Sequence, residues 1–401
     1  MLKRVAGAAL ALAIAWATLS PQPETGAAEL VACLLCGPRA VADALLNVVM
    51  FVPVGMLLGS VLGSVPAVAL AGLLSGLIET AQLAIPGRDP SLGDVLFNTI
   101  GAAAGVVAVR LGRRWLVPGA VLGTGLASLW AGLAVGAIFL TGWLLEPVLP
   151  PAPHTVQWAP ALQGMAQFEG TVLNAIIGDV PLRPGPARGV GQWGERLGRG
   201  VPIAAVVTLG PPPERLAPLL TIHDAEGGEA LLLGAAGDGI VYRRQVRAHR
   251  LRLDAPALRA AGILAGHAPG DTVLIAAATT PDGQCFVVQR ASFCGYGHDA
   301  GDGWRLLYSG ESVAPAAADA LGALWLALLL LPIGFWAHWR AALALGLALG
   351  WYAWIRVPVD TVLLAIGWTG ALGMLGGTVA GLLLARAARR IVSPAPSPPQ
   401  E

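Results

Sequence analysis

The sequence predicts a polytopic α-helical membrane protein, with about eight transmembrane helices and an inserted extracytoplasmic all-β sandwich domain. Three observations predict this class. The chain is 55% hydrophobic and only 12% charged, with a mean hydropathy of +0.67, whereas a soluble domain carries about twice that charged fraction. Its apolar residues form runs of about 20, the length at which a helix crosses a bilayer. One long segment, residues 150–315, has short alternating patterns instead of such runs.

The apolar runs place five helices before the β segment and three after it. Basic residues precede the first run, which we interpret as a retained helix rather than a cleaved signal. Glycine, proline or arginine clusters separate the other runs. The predicted helices cover 5–19, 43–63, 66–85, 92–111, 118–143, 316–338, 341–359 and 361–385. The predicted domains are therefore a transmembrane domain (1–145), a β-sandwich (150–315), three C-terminal helices (316–386) and a disordered proline-rich tail (391–401).

Short runs with β-type alternation fill the middle segment, and turn sequences of aspartate and glycine separate several of them. The strand candidates are 203–209, 219–223, 230–233, 240–246, 272–278 and 285–290. Many short strands joined by tight turns are typical of a β-sandwich. In this pattern the segment resembles a concanavalin A-like or laminin-G (LamG)-like jelly roll. That resemblance implies a concave sheet that binds carbohydrate, so a cell-envelope glycan is the first ligand expected.

Polar side chains recur inside the apolar segments between residues 43 and 98. They lie three or four residues apart within each segment, so each group occupies one face of a helix. Ionisable groups near hydrocarbon are unfavourable and usually face a bundle interior or an aqueous pocket. The candidate binding residues are Asp43, Asn47, Glu79, Gln82, Arg88, Asp94 and Asn98.

These residues and their neighbours resemble the VanZ-like family of bacterial membrane proteins over roughly residues 5–142. The matching positions are Asp43, Asn47, Phe51, Pro53, Gly55, Glu79, Gln82, Gly87, Arg88, Ser91, Asp94, Asn98 and Gly101. The resemblance implies a multi-pass protein of the bacterial inner membrane, with a link to glycopeptide (teicoplanin) resistance in some members. It does not supply an established reaction.

Three interpretations of the polar residues remain open. In the first, Arg88 neutralises Glu79 or Asp94 and the amides satisfy helix ends, so that the network is structural. In the second, Arg88 and nearby amides bind a phosphate or carboxylate of a lipid or envelope ligand. In the third, Glu79 or Asp94 acts as a general acid or base. The sequence has no recognisable nucleophile, metal-ligand or phosphate-loop motif, so we expect no metal and no cofactor. A calcium-binding loop formed by Gly295, Gly297, Asp299 and Asp302 stays open beside the favoured interpretation as a polar loop.

The arginines predict the orientation. With eight spans, nine basic residues lie on the side of both termini and three lie on the opposite side. The positive-inside rule then places both termini in the cytoplasm and the β domain in the periplasm or cell exterior. Oxidation is permitted there, so we predict a disulfide between Cys285 and Cys294. The pairing of Cys33 and Cys36 stays open between a disulfide, lipidation and free thiols.

The sequence therefore favours a non-catalytic envelope protein that binds a lipid-linked or glycan component at the outer face of the membrane. The alternative is a membrane enzyme that uses Glu79, Asp94 and Arg88 for acid–base chemistry on a lipid-linked glycan, so enzymatic activity stays uncertain. A transporter is the third hypothesis. The expected partners are the lipid bilayer and an envelope glycan or lipid-linked precursor. The net charge of +1 argues against nucleic acid.

Overall fold

The chain forms a helical membrane region and a two-sheet β-sandwich inserted between its helices. The computed structural model describes residues 14–16, 18–20, 34–35, 37–88, 90–148, 153–162, 164–186, 201–280, 283–308, 313–337 and 363–392. The helices are α1 (Ala40–Gly59), α2 (Ser64–Gln82), α3 (Leu92–Arg110), α4 (Gly112–Leu116), α5 (Ala120–Leu144), α6 (Arg247–Arg250), α7 (Pro315–Trp336) and α8 (Trp368–Val392), with a 3-10 helix at Ala300–Leu306.

Six helices in the described residues, all except α4 and α6, are long and apolar enough to cross a membrane. Only 22–33% of the residues in each span are buried inside the protein, so most apolar side chains face outward, as they do toward lipid. The chain is thus a multi-pass membrane protein. The expected number of about eight spans is not supported, since the predicted helix at 341–359 and most of the one at 5–19 lie outside the described residues.

The β domain is an antiparallel sandwich. Its strands are β1 (Thr155–Trp158), β2 (Thr171–Ile177), β3 (Val180–Pro181), β4 (Gly185–Pro186), β5 (Ile203–Thr208), β6 (Ala217–His223), β7 (Glu229–Ala236), β8 (Gly239–Arg244), β9 (Leu258–Ala260), β10 (Thr272–Thr280), β11 (Gly283–Val288) and β12 (Ala291–Tyr296). In the described residues, one six-stranded sheet has the order β4-β1-β6-β7-β8-β9 and the other β12-β11-β10-β5-β2-β3. The sandwich is confirmed, and the finer jelly-roll assignment stays a prediction.

The core of the sandwich lies between its two sheets, and strands β6 and β7 are buried along almost their whole length. Phe286 is fully buried and meets Tyr242 and Tyr296 edge to face. Cys285 on β11 and Cys294 on β12 form a disulfide, with Cα atoms 4.0 Å apart. The other two cysteines, Cys33 and Cys36, lie outside the described residues.

A small shared core fastens the sandwich to the helices. It contains residues from the start of α1, the end of α5, the α6 region and the 3-10 helix, namely Ala42, Leu144, Leu145, Val246, Ala248, Leu253, Ala255 and Leu306. The carbonyl oxygen of Arg252 accepts hydrogen bonds from the backbone N–H groups of Val41 and Ala42, at 3.2 and 3.4 Å. These are unsatisfied first-turn donors of α1, whose own N-cap residue makes no side-chain cap. The β domain therefore caps a membrane helix.

The basic run at residues 243–252 takes part in the same attachment. Arg243 forms a two-pronged pair with Glu229 across β7 and β8, at 2.6 and 2.7 Å. Arg247 pairs with Glu146 at the end of α5. These arginines hold the strands to each other and to the membrane helices.

Glycines allow α1 and α3 to pack backbone to backbone. A Cβ on Gly101 or Gly105 of α3 would collide with the carbonyl of Val48 or Val52 on α1. Gly55 of α1 approaches Ala102 of α3 in the same way. Small residues at such contacts are a common means of joining helices within a membrane.

The carboxy-terminal pair α7 and α8 repeats this arrangement. Gly377 and Gly381 of α8 have no space for a Cβ beside the carbonyls of Ala327 and Leu331 on α7, and Gly334 approaches Thr378. Each first helix also has a proline two residues before its contact glycine, namely Pro53 in α1 and Pro332 in α7. Each second helix has an arginine five residues after its last contact glycine, namely Arg110 and Arg386. The two pairs therefore share the spacing of these contacts, although Gly373 of α8 makes a further close approach to Ala323 and Phe97 stands at the equivalent position of α3.

Candidate functional site

The predicted polar residues gather at the end of α1, α2 and α3 that faces the β domain. Asp43 lies in the first turn of α1, Glu79 in the last turn of α2 and Asp94 in the first turn of α3. Because α1 and α3 begin where α2 ends, their polar turns meet at one end of the bundle. Two layers of polar contacts can be distinguished there.

The outer layer contains the carboxylates. Glu79 is only 5% exposed, and its Oε2 accepts a hydrogen bond of 2.9 Å from the backbone N–H of Ser91. Ser91 is the N-cap of α3, and its hydroxyl accepts from the N–H of Gly93 at 3.0 Å. The Glu79 carboxylate therefore lies at the positive amino-terminal end of α3, which favours a negative charge.

Asp94 joins α3 to α1 in the same layer. The side chain of Asn47 is hydrogen-bonded to its carboxylate, and the charge of Asp43 acts on it from α1. The charge of Asp94 in turn acts on Glu79. Asp43, Asp94 and Glu79 thus form a row of acidic groups across the three helices, with each one close enough to the next to repel it.

The inner layer contains Ser75 and Asn98, one helical turn below Glu79 and Asp94 respectively. Both side chains are buried, with 0% and 2% exposure, and Asn98 Nδ2 donates a 2.9 Å hydrogen bond to Ser75 Oγ. Asn98 Oδ1 is also buried, and no donor in the described part of the chain reaches it. We call this oxygen the open acceptor. A buried polar atom left without a partner is unfavourable by about 1–3 kcal/mol, so its presence requires an explanation.

Gln82 and Arg88 bind the amino-terminal segment. Gln82 Nε2 donates to the carbonyl of Thr18 at 2.8 Å, and Arg88 Nε donates to the carbonyl of Ser20 at 2.9 Å. Burial lowers the pKa of the Arg88 guanidinium, and the nearby charge of Glu79 opposes that shift. The neutralisation of Glu79 or Asp94 by Arg88 stays a prediction.

A salt-bridge network links the site to the β domain. Arg39 Nε lies 3.2 Å from Asp254 Oδ2, and Arg39 Nη2 lies 3.8 Å from Asp43 Oδ1. Arg39 Nη2 also donates to the carbonyl of Leu307 at 3.2 Å. Sequence reasoning missed Arg39, Ser75 and Asp254 as members of the site. The first two had a signal, since each lies four residues before a predicted site residue, whereas Asp254 is distant in sequence and had none.

A second charged cluster lies where the β domain meets α8. Asp302 accepts from His298 and from Arg305, each at 3.3 Å, and Asp299 accepts from the backbone N–H groups of Gly301 and Gly367. Burial, and then the charge of Asp302, raise the pKa of Asp299 to about 6. Burial also acts to raise the pKa of Asp302, but His298 and Arg305 bring it below its ordinary value. The cluster attaches the loop before the 3-10 helix to the start of α8.

No group of three histidine, cysteine or acidic side chains is arranged as metal ligands in the described ranges. The model of the VanZ/LLP1 family matches residues 8–113, which contain α1, α2 and α3. No curated protein matches the chain, and no solved structure matches it. The amino-terminal part of the chain is therefore similar to the VanZ/LLP1 family, and this part contains every predicted binding residue.

Proposed function

We propose that the three-helix unit α1–α3, the part similar to the VanZ/LLP1 family, binds the polar head group of a membrane lipid or lipid-linked envelope molecule. The binding position is the polar end of the unit next to the β domain. The open acceptor carries this proposal, because it belongs to the side chain bonded to Ser75, one helical turn from Asp94, and no donor in the described residues reaches it. The apolar side chains of the helices face outward, so the tails of such a molecule can pack against them in the surrounding bilayer.

The pair α7 and α8 supports a role in binding rather than in packing for the polar residues. At the positions equivalent to Asp43, Asn47, Asp94 and Asn98, the second pair has Gly322, Leu326, Gly370 and Met374. It nevertheless reaches the same glycine-to-carbonyl packing. The polar network is thus not required for this type of helix packing. Its confinement to the first pair favours a ligand there.

The β domain is proposed to contact the glycan part of such a molecule. A cavity of about 510 Å³ opens where β1 meets β4, and Gln157 and Trp158 are among its lining residues. An indole ring beside amide and hydroxyl groups is a suitable surface for a sugar. Trp158→Ala in the full chain should therefore weaken retention of a lipid-linked glycan while leaving retention of a simple phospholipid unchanged.

The proposed location is the outer face of a bacterial inner membrane. The arginine asymmetry supports this orientation, with both termini in the cytoplasm. An effect on teicoplanin susceptibility is the corresponding expectation in cells, and it is measured by comparing strains with and without the gene.

A membrane enzyme is the second candidate. Glu79 and Asp94 are close enough for their charges to interact, and one of them is almost fully buried. Two such carboxylates can divide the roles of general acid and general base. Glu79→Gln keeps the shape and the hydrogen bond from Ser91, so loss of turnover with retained binding would favour the enzyme.

The binding proposal is tested by the lipids that co-purify with the protein. The full chain would be extracted from bacterial membranes in mild detergent, and bound lipids would be quantified by mass spectrometry per mole of protein. Asn98→Met is the informative variant, because methionine occupies the equivalent position in α8 and is compatible with this packing. Met374→Leu is the matched control. We expect a lipid species to be lost from the first variant and kept by the second, and equal lipid content in both would contradict the proposal.

A further inference from the structure

Both side-chain amides nearest the open acceptor use one of their N–H groups within the protein. Asn98 Nδ2 is used by Ser75, and Gln82 Nε2 is used by Thr18. The open acceptor remains, and the carboxylate oxygens beside it can accept further hydrogen bonds. A ligand that satisfies the open acceptor must therefore donate a hydrogen bond to it.

The charges in the same region favour a cation. Glu79 interacts with Asp94, Asp94 with Asp43, and Asp43 with Asp254, so four carboxylates follow one another. Two guanidinium groups accompany them, and both are engaged by the protein. Arg88 donates to the carbonyl of Ser20, and Arg39 contacts Asp254 and the carbonyl of Leu307. Four carboxyl groups thus accompany two guanidinium groups, an arrangement that complements a positively charged group better than a phosphate.

We infer that the group bound at the open acceptor is the primary ammonium of a membrane lipid. This inference rests on the proposed function and names the chemistry of its head group. An ammonium has three N–H donors, a number that suits one amide oxygen and the neighbouring carboxylates together. A quaternary ammonium has the same charge but no donor, and it would leave the open acceptor unsatisfied. The ammonium is assigned to a lipid rather than to a soluble amine because the site lies at the end of three membrane-spanning helices.

The test compares lipids that differ only in their head groups. The full chain in detergent would be titrated with phosphatidylethanolamine, phosphatidylcholine and phosphatidylglycerol of identical acyl chains, and native mass spectrometry would measure the bound fraction. We expect phosphatidylethanolamine to bind about tenfold more tightly than phosphatidylcholine, which is the effect of one hydrogen bond to a charged group. An equal concentration of free ethanolamine should not displace it. Displacement by free ethanolamine would show that the site recognises a soluble amine, and it would overturn the lipid assignment.

Variants at one position separate this inference from the proposed function. Asn98→Met should remove the preference for phosphatidylethanolamine, whereas Asn98→Asp keeps an acceptor and should preserve it even if the first variant folds poorly. Met374→Leu should leave all three affinities unchanged. If Asn98→Met weakened phosphatidylcholine or phosphatidylglycerol as much as phosphatidylethanolamine, the ammonium assignment would fail while lipid binding at the site would stand. If no affinity changed in the Asn98 variants, both would fail.

Discussion

Asp299 should make the stability of the protein depend on pH, because its carboxylate lies buried between the β domain and α8. Its pKa is raised from 3.8 to about 6, first by burial and then by the neighbouring charge of Asp302. A group whose pKa is higher in the folded state binds more protons there than when unfolded. The folded state therefore has its full stability below pH 3.8, and part of that stability is lost as the pH rises through about 6.

The expected magnitude follows from the size of the shift. Each pKa unit corresponds to about 1.4 kcal/mol, so a shift of about two units lowers the free energy of unfolding by about 3 kcal/mol at pH 8. About half of that loss has already occurred at pH 5. Asp299→Asn removes the titration but keeps an oxygen that can accept from Gly301. The stability of the variant relative to the native protein should therefore increase by about 1.5 kcal/mol between pH 5 and pH 8.

The assay is chemical unfolding of the detergent-solubilised protein at a series of pH values. Asp302→Asn provides the contrast, because Asp302 has a lowered pKa and holds His298 and Arg305. That variant should be less stable than the native protein at pH 8. If the free energies of unfolding of Asp299→Asn and the native protein differed by the same amount from pH 5 to pH 8, the raised pKa of Asp299 at this junction would be refuted.

Three further predictions concern packing, oxidation and topology. Gly101→Leu should separate α1 from α3 and lower stability by about 1–3 kcal/mol or more, whereas Gly132→Leu, where a Cβ meets nothing within 4 Å, should be tolerated; thermal unfolding compares the two. Cys285 and Cys294 should be recovered as one disulfide-linked peptide by mass spectrometry without reduction, contributing about 2–4 kcal/mol to the β domain, and two free thiols would contradict this. Alkaline phosphatase fused after Arg305 should be active and a fusion at the end of α8 inactive, and the reverse pattern would refute the proposed orientation.

Local patterns located most of the elements. The apolar run predicted at 92–111 is α3 at Leu92–Arg110, and the alternating run at 272–278 is β10 at Thr272–Thr280. Hydropathy and alternation depend on neighbouring residues, so the sequence reports them directly. The last helix shows the limit of this approach. Its apolar run predicts a start at 361, but the helix begins at Trp368, because Leu364 donates its N–H to the carbonyl of His298 and the chain before the helix follows the β domain.

The sequence predicts which residues belong to the candidate site, but it does not predict the contacts between them. Helical spacing identified Asp94 and Asn98 as one polar face, and the structure places both at the end of α3 near α1 and α2. The same spacing could not show that Asn98 donates to Ser75 and leaves an oxygen open, since that depends on how closely α2 and α3 approach. The bond from Arg88 Nε to the carbonyl of Ser20 was also unforeseen, because the acceptor is a backbone atom and has no sequence signature.

By itself the sequence determined that this chain is a membrane protein with a β-sandwich insertion, and that one group of helices contains polar residues near the sandwich. These properties follow from composition and periodicity, which are local. Only the tertiary structure decided that the carbonyl of Arg252 caps α1, that Asp254 joins the acidic row through Arg39, and that α7 and α8 repeat the packing of α1 and α3. Those relations join residues far apart in the chain, and they exist because backbone donors, buried charges and close-packed glycines must each find a partner in three dimensions.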